Sequence, residues 1–162
     1  MIAIKFDSVK SVMSHLLISE TFDNYQFIEG EIVTFNTFTM DGYVQKDFYE
    51  TDEPLPLYSA WKNVKNYCLS LIKGKRTPLS FKFIFCLSAA QTVALIQEYQ
   101  LAFSPDDIQG LYLNLRYDGT ALQCVTGTST KAFSLDKSLE QAWDKYAVNF
   151  FKTHEISFDY AT

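Results

Sequence analysis

The 162-residue sequence has few of the residues on which common catalytic sites depend. It contains only two histidines, His15 and His154, and six glycines spread along the chain. A nucleophile is usually activated by a nearby base, and both histidines are expected at helix surfaces or ends. The H-E-x-x-H, Walker A, G-x-G-x-x-G and G-x-S-x-G patterns are all missing. The sequence therefore predicts no catalytic residue, metal site or cofactor.

Long apolar runs and an excess of positive charge are also missing. No run approaches the ~18 apolar residues of a membrane span, and the first residues lack the pattern of a signal peptide. A cytoplasmic protein that does not enter membranes is therefore expected. The net charge of −5 disfavours non-specific binding to nucleic acid. Three scattered cysteines, Cys68, Cys86 and Cys124, are predicted to be reduced and buried.

Aromatic and aliphatic residues are what the chain does have. Hydrophobic residues make up 48% of the sequence and aromatic residues 16%, with 14 Phe and 10 Tyr. A chain of this length buries about two-thirds of its extended surface as one domain. A single domain over residues 1–162 with an aromatic core is therefore predicted.

Several landmarks recur along the chain at a nearly constant offset. Ser8 and Ser88 each open an apolar stripe, and Gly30 and Gly110 each precede a β-rich run; both pairs are eighty positions apart. Each set of landmarks closes on an amphipathic helix that carries a tryptophan. The pattern predicts an internal repeat with two copies, too few for a solenoid.

The two copies span residues 1–73 and 79–154, and each reads as strand, helix, hairpin and helix. A duplicated β-α-β-β(-β)-α unit favours an α+β fold, with one antiparallel sheet and helices packed on one face. The halves are expected to be related by an approximate dyad. Asp41-Gly42 is a hairpin signal after the β-rich run at 26–39, and 131–134 is predicted as a short strand.

The helix-free face of this sheet is the first candidate binding surface. The eighty-residue offset pairs positions of the two copies and assigns this face to Ile32, Asn36, Phe38, Tyr112, Asn114 and Arg116. A face this apolar is expected to meet a partner. The preferred hypothesis is a non-enzymatic binding module that contacts another protein or a second copy of itself.

The basic hinge between the two copies is the second candidate. It carries Lys73, Lys75 and Arg76, with Lys82 beyond it. These cations complement the end of the preceding helix, or form an anion site together with Arg116. Nucleic-acid association through the hinge and the sheet face is the alternative function. An enzyme with a cleft between the copies is the second alternative.

Three stretches, residues 34–39, 70–82 and 136–144, resemble a family of unknown function from clostridial bacteria. The resemblance covers the whole chain. It implies a single bacterial cytosolic domain with no assigned activity, so it transfers no functional residues. The order of elements is also similar to the tandem design of the TATA-box-binding protein and, more loosely, to half of a sliding clamp.

Overall fold

One antiparallel sheet with all its helices on one side forms the body of the protein, whose computed structural model describes residues 1–161. Within those residues the chain forms four α-helices and seven strands, apart from short 3₁₀ turns. The strands are β1 (Ala3–Phe6), β2 (Gln26–Val33), β3 (Thr37–Asp41), β4 (Ser80–Cys86), β5 (Ile108–Tyr117), β6 (Leu122–Thr130) and β7 (Phe158–Tyr160). The helices are α1 (Val9–Leu17), α2 (Lys65–Ile72), α3 (Ala89–Glu98) and α4 (Ser138–Thr153). The predicted α+β class is confirmed.

The strands lie in the order β3-β2-β4-β5-β6-β1-β7, with every neighbouring pair antiparallel. The first and last strands of the chain, β1 and β7, pair with each other at one edge. β3 forms the other edge. The sheet therefore joins residues from both ends of the sequence into one layer.

Alternation along the central strand β4 separates the two faces of the sheet. Phe81, Phe83 and Phe85 are buried under the helices, whereas Lys82 is exposed and Ile84 half-buried on the other side. Successive side chains of a strand point to opposite faces, so this sequence specifies which face is covered. We call the side without helices the open face.

Trp61 connects the helices to this aromatic row. Its ring is fully buried, with centroids 5.1 Å from Phe83 and 5.0 Å from Phe85. Its indole N–H donates to the carbonyl oxygen of Leu16 at 2.7 Å, so the tryptophan also fixes the C-terminal turn of α1. A buried indole needs such a partner, because an unpaired N–H is costly in an apolar core.

The starts of α1 and α3 are where the sequence places them. The Ser8 side chain accepts from the N–H of Ser11 at 3.1 Å, and Ser88 accepts from Gln91 at 3.3 Å. These hydrogen bonds satisfy N–H groups that have no partner inside the helix.

The three cysteines are free and buried, as predicted. Burial raises the pKa of Cys68 to about 12, which keeps its thiol protonated at neutral pH.

The hairpin prediction at Asp41-Gly42 is wrong. The run at 26–39 turns back at 34–36 instead, where the N–H of Thr34 donates to the carbonyl oxygen of Asn36 at 2.9 Å. Gly42 lies at the end of β3 against the backbone of Phe27. This position requires glycine because of the close approach to Phe27, and not because of a turn. Residues 131–134, predicted as a strand, form none.

The dyad between the two halves is also not present in the sheet. The order of elements repeats, β-α-β-β-α, but β4 lies between β2 and β5 whereas its counterpart β1 lies between β6 and β7. No rotation that maps β1–β3 onto β4–β6 preserves those neighbours. The sheet resembles a tandem design in element order alone, and a duplicated origin of the sequence stays a prediction.

Replacing Gly42 with alanine is expected to destabilise the fold by about 3 kcal/mol or more. A Cβ there would overlap the carbonyl oxygen of Phe27 and lie 2.7 Å from its carbon, where the backbone must move. The matched control is Gly127→Ala on the open face, where the nearest atoms lie at 3.8 and 3.9 Å. Its effect is expected within about 0.5 kcal/mol. Urea unfolding compares the two variants, and equal stabilities would contradict this role of Gly42.

Candidate binding groove

A groove lies between the C-terminal end of α2 and the turn that connects β2 to β3. Its volume is about 630 Å³. It is lined by Thr34, Phe35, Ser70, Leu71, Ile72, Lys73, Gly74, Lys75, Arg76, Thr77 and Leu79. We call this set the basic groove, because it includes three cations and no carboxylate. Its residues come from two segments that are distant in sequence, and the pairing of β2 with β4 brings them together.

The three cations of the basic groove have no ionic partner in the part of the chain described. Lys73, Lys75 and Arg76 are exposed, and no carboxylate oxygen of residues 1–161 lies within 4.0 Å of their charged nitrogens. Lys73 directly follows the last turn of α2, where a cation offsets the helix dipole. That dipole acts only within the last turn, so it does not account for Lys75 and Arg76.

Apolar side chains stand beside these charges. Phe35 is 86% exposed and Leu79 is 67% exposed, although both are large and hydrophobic. Phe35 rests edge-on against Phe38 with centroids 5.7 Å apart, which leaves its outer side open. Thr34, at the groove wall, has a buried hydroxyl without a hydrogen-bond partner among residues 1–161. The groove therefore offers cations and an exposed ring.

The open face is less apolar than the sequence suggested, because two of its predicted residues lie on the other side. Ile32 is fully buried beneath the helices, and Phe38 is its partner on β3. The register shift of β2 lies between Phe27 and Glu29, whereas that of β5 lies between Ile108 and Gly110. The unpaired residues, 28 and 109, are eighty-one positions apart. An offset of eighty therefore assigns Ile32 and Phe38 to the open face, although both lie on the helix side.

Charged residues form a row across the open face instead. Each residue of the row pairs with the next one on the neighbouring strand. From β2 to β7 the row is Glu31, Lys82, Arg116, Gln123, Lys5 and Asp159. Lys82 and Arg116 are directly opposite each other, and neither has a carboxylate within 4.0 Å among the described residues. Like charges in that position repel each other. A wet, charged face of an antiparallel sheet needs no covering partner.

The remaining predicted site residues are dispersed. Asn36 is exposed in the turn beside Phe35, at the border of the basic groove. Asn114 and Tyr112 are half-buried farther along β5, and the amide of Asn114 donates to the carbonyl oxygen of Val125 at 3.1 Å. Burial raises the pKa of Tyr112. Two groups therefore replace the single predicted site. The groove or its border holds Lys73, Lys75, Arg76 and Asn36, and the open face holds Lys82, Tyr112, Asn114 and Arg116.

Tyr112 belongs to a tyrosine cluster that no pattern in the sequence predicts. Tyr43 and Tyr58 are 4.8 Å apart by ring centroids, and the pKa of Tyr58 is raised to about 12 by hydrogen bonding to Tyr43, by burial and by the nearby Tyr112 and Cys86. The loop at 42–60 folds back on the start of β2 and brings these rings together, as Phe27 donates to the carbonyl oxygen of Ser59 at 2.8 Å. Neutral phenols at this position pack and hydrogen-bond.

The two histidines are far apart in the sequence but lie near each other in the structure. Burial and the nearby His154 lower the pKa of His15, whose Nδ1 lies 2.7 Å from the hydroxyl of Thr21. His154 packs against Phe150 with centroids 4.8 Å apart.

Within residues 1–161 no three His, Cys, Asp or Glu side chains are grouped as metal ligands. None of the helices in that range combines the length and the apolar character needed to cross a membrane.

Comparison with known proteins finds a family but no individual relative. No curated protein and no solved structure matches the chain. A family model, described as "Family of unknown function (DUF5721)", matches residues 15–159. This match begins within α1 and ends within β7, so it includes the basic groove and the open face apart from β1. The chain belongs to this family of unknown function.

Proposed function

We propose that the protein is a non-enzymatic binding module whose basic groove holds an acidic segment of a protein partner. One observation carries the proposal: Lys73, Lys75 and Arg76 border an apolar-walled groove and have no ionic partner among residues 1–161. In a chain with a net charge of −5, a carboxylate-free cluster of cations favours an anionic ligand.

The chemistry of the groove favours a peptide with both carboxylates and an apolar anchor. Arginine binds carboxylates through two parallel hydrogen bonds, and lysine adds a mobile point charge. Phe35 and Leu79 provide apolar surface for an aromatic or aliphatic side chain of the ligand. Such an anchor in a small pocket supplies most of the binding energy, and the surrounding charges supply specificity and speed of association.

A short Asp- and Glu-rich peptide with one central phenylalanine tests this proposal. Wild-type protein is expected to bind it, and Lys75→Glu with Arg76→Glu is expected to weaken binding about tenfold or more, because attraction becomes repulsion. Fluorescence anisotropy gives the affinities. Amide shifts in the NMR spectrum should move at residues 34–35 and 70–79.

Two control comparisons make the result specific. Lys10→Glu with Lys131→Glu changes the net charge by the same amount at exposed positions outside the groove and should leave the affinity nearly unchanged. A peptide with alanine in place of its phenylalanine should bind more weakly. The proposal is wrong if both double variants lose affinity equally, or if wild-type protein that is diluted to monomer does not bind.

Nucleic-acid association is a second candidate, favoured by the unpaired cations Lys82 and Arg116 on the open face. Exposed Phe35 offers a ring on which a base can stack, as single-strand-binding proteins use. Together with the hinge cations this surface would contact phosphates, flanked by Asn36, Tyr112 and Asn114. The acidic net charge and Glu31 beside Lys82 oppose it, so we rank it second.

Nucleic-acid binding predicts a steep dependence on salt. Affinity for single-stranded DNA or RNA should fall by an order of magnitude or more between about 50 and 200 mM salt. Lys82→Glu with Arg116→Glu should weaken it further. Gel-shift titrations at both salt concentrations measure this. Absence of salt-sensitive binding at low salt would remove this candidate.

The family resemblance supports a bacterial, clostridial origin and a cytoplasmic location, and both stay predictions. An enzyme with a cleft between the two copies receives no support from a specific group of side chains.

A further inference from the structure

The outer edge of β3 is an unprotected sheet edge. Within residues 1–161, β3 is the terminal strand of the sheet and pairs only with β2, in regular register from Thr37 to Asp41. Its sequence, Thr-Phe-Thr-Met-Asp, contains no lysine, proline or bulge, the devices that usually prevent edges from pairing. The opposite edge, β7, has only three residues.

The backbone groups that β3 leaves free can be assigned from its pairing with β2. The N–H of Gly42 donates to the carbonyl oxygen of Ile28 at 2.8 Å. Antiparallel pairs alternate between bonded and non-bonded, so in this register Met40 and Phe38 bond to β2. Thr37, Thr39 and Asp41 therefore direct their N–H and C=O groups outward, away from the sheet.

We propose that this edge pairs with β3 of a second copy, antiparallel about a twofold axis at Thr39. This register joins all three outward-facing residues: Thr39 with Thr39, and Thr37 with Asp41 of the second copy. It follows the rule that a twofold contact uses the same surface on both partners. The two sheets become one continuous sheet.

Side chains across this edge are complementary in the same register. On the helix side, half-buried Phe38 faces Met40 of the second copy, a favourable ring–sulfur contact. On the open face, the Thr37 hydroxyl faces the carboxylate of Asp41, and two threonines meet on the axis. Cross-strand pairs of these kinds stabilise sheets.

The ends of the shared edge bring each basic groove close to the other copy. Antiparallel pairing places the 34–36 turn of one copy, with Phe35 86% exposed, beside residues 42–44 of the other. The chain beyond Tyr43 is the acidic loop, residues 46–57, which has four exposed carboxylates: Asp47, Glu50, Asp52 and Glu53. It also presents Phe48, 82% exposed.

Charge complementarity therefore selects a second copy as the occupant of the basic groove. The acidic loop combines carboxylates with an exposed ring, the same chemistry that the groove favours. This part of the inference rests on the proposed function, because it names the acidic ligand of the groove. The β3 pairing itself stands on the free edge and its register.

A pair of lysine substitutions on β3 tests the dimer and its register. Thr39→Lys places two lysines opposite each other on the axis, whereas within one copy the new lysine faces Glu31, so the fold is maintained. Thr37→Lys places its lysine opposite Asp41 of the second copy. Sedimentation of the wild type should show a dimer. Thr39→Lys should raise the dimer dissociation constant about fivefold or more, and Thr37→Lys should leave it unchanged or lower it.

Hydrogen exchange gives a readout that needs no substitution. In the dimer the amides of Thr37, Thr39 and Asp41 should exchange slowly, and dilution to monomer should make them fast while Phe38 and Met40 stay protected. A wild type that is monomeric at high concentration, or a dimer insensitive to Thr39→Lys, would overturn the inference. So would a dimer in which these amides exchange freely.

The same experiments separate this inference from the proposed function. If the protein stays monomeric but its groove binds the acidic probe peptide, the inference fails and the function stands. If a dimer sensitive to Thr39→Lys forms but the groove of monomeric Thr39→Lys protein binds no acidic peptide, the pairing stands and the function fails. Lys75→Glu with Arg76→Glu should weaken the dimer when both hold.

Discussion

Burial of aromatic rings on one side of the sheet is the constraint on which the rest of the structure depends. Phe81, Phe83 and Phe85 stand in a row on the central strand, and Trp61 packs on this row while it bonds to α1. Aromatic residues bury large areas with few rotamers to fix. Because that aromatic burial is on the helix side, the charged row from Glu31 to Asp159 on the other face stays in water.

The surfaces that we connect with function are consequences of this arrangement. With a single layer of helices, the turn between β2 and β3 meets the end of α2 at a corner, and the cations after α2 line the resulting groove. The same architecture leaves β3 at an edge, with no further strand beside it among residues 1–161. The groove and the edge are neighbours on one hairpin, so a ligand at one can be coupled to pairing at the other.

Much of this architecture could be predicted from the sequence, and the failures have physical reasons. The alternation in β4 and β5 predicts which residues are buried, and Ser8 and Ser88 mark helix starts, because both signals are local. The order of strands depends on long-range pairing that no local pattern encodes. Gly42 was misread because a glycine needed for close packing looks the same in sequence as one needed for a turn.

Only part of the candidate site could be predicted, because local clusters are visible in the sequence and contacts made by strand pairing are not. Lys73, Lys75 and Arg76 are adjacent in sequence, so their cluster was visible, but Phe35 joins them only through the pairing of β2 with β4. A single-residue difference in the position of two bulges was enough to put Ile32 and Phe38 on the wrong face. Period-two arguments lose their phase at each bulge.

Solvent accessibility along β4 tests one-sided burial most directly. In an assigned NMR spectrum, a soluble neutral paramagnetic probe should relax the side chains of Lys82 and Ile84 strongly and leave the rings of Phe81, Phe83 and Phe85 unaffected. Equal relaxation of both sets, or equal protection of both, would contradict the account, because the sheet would then be exposed or covered on both sides.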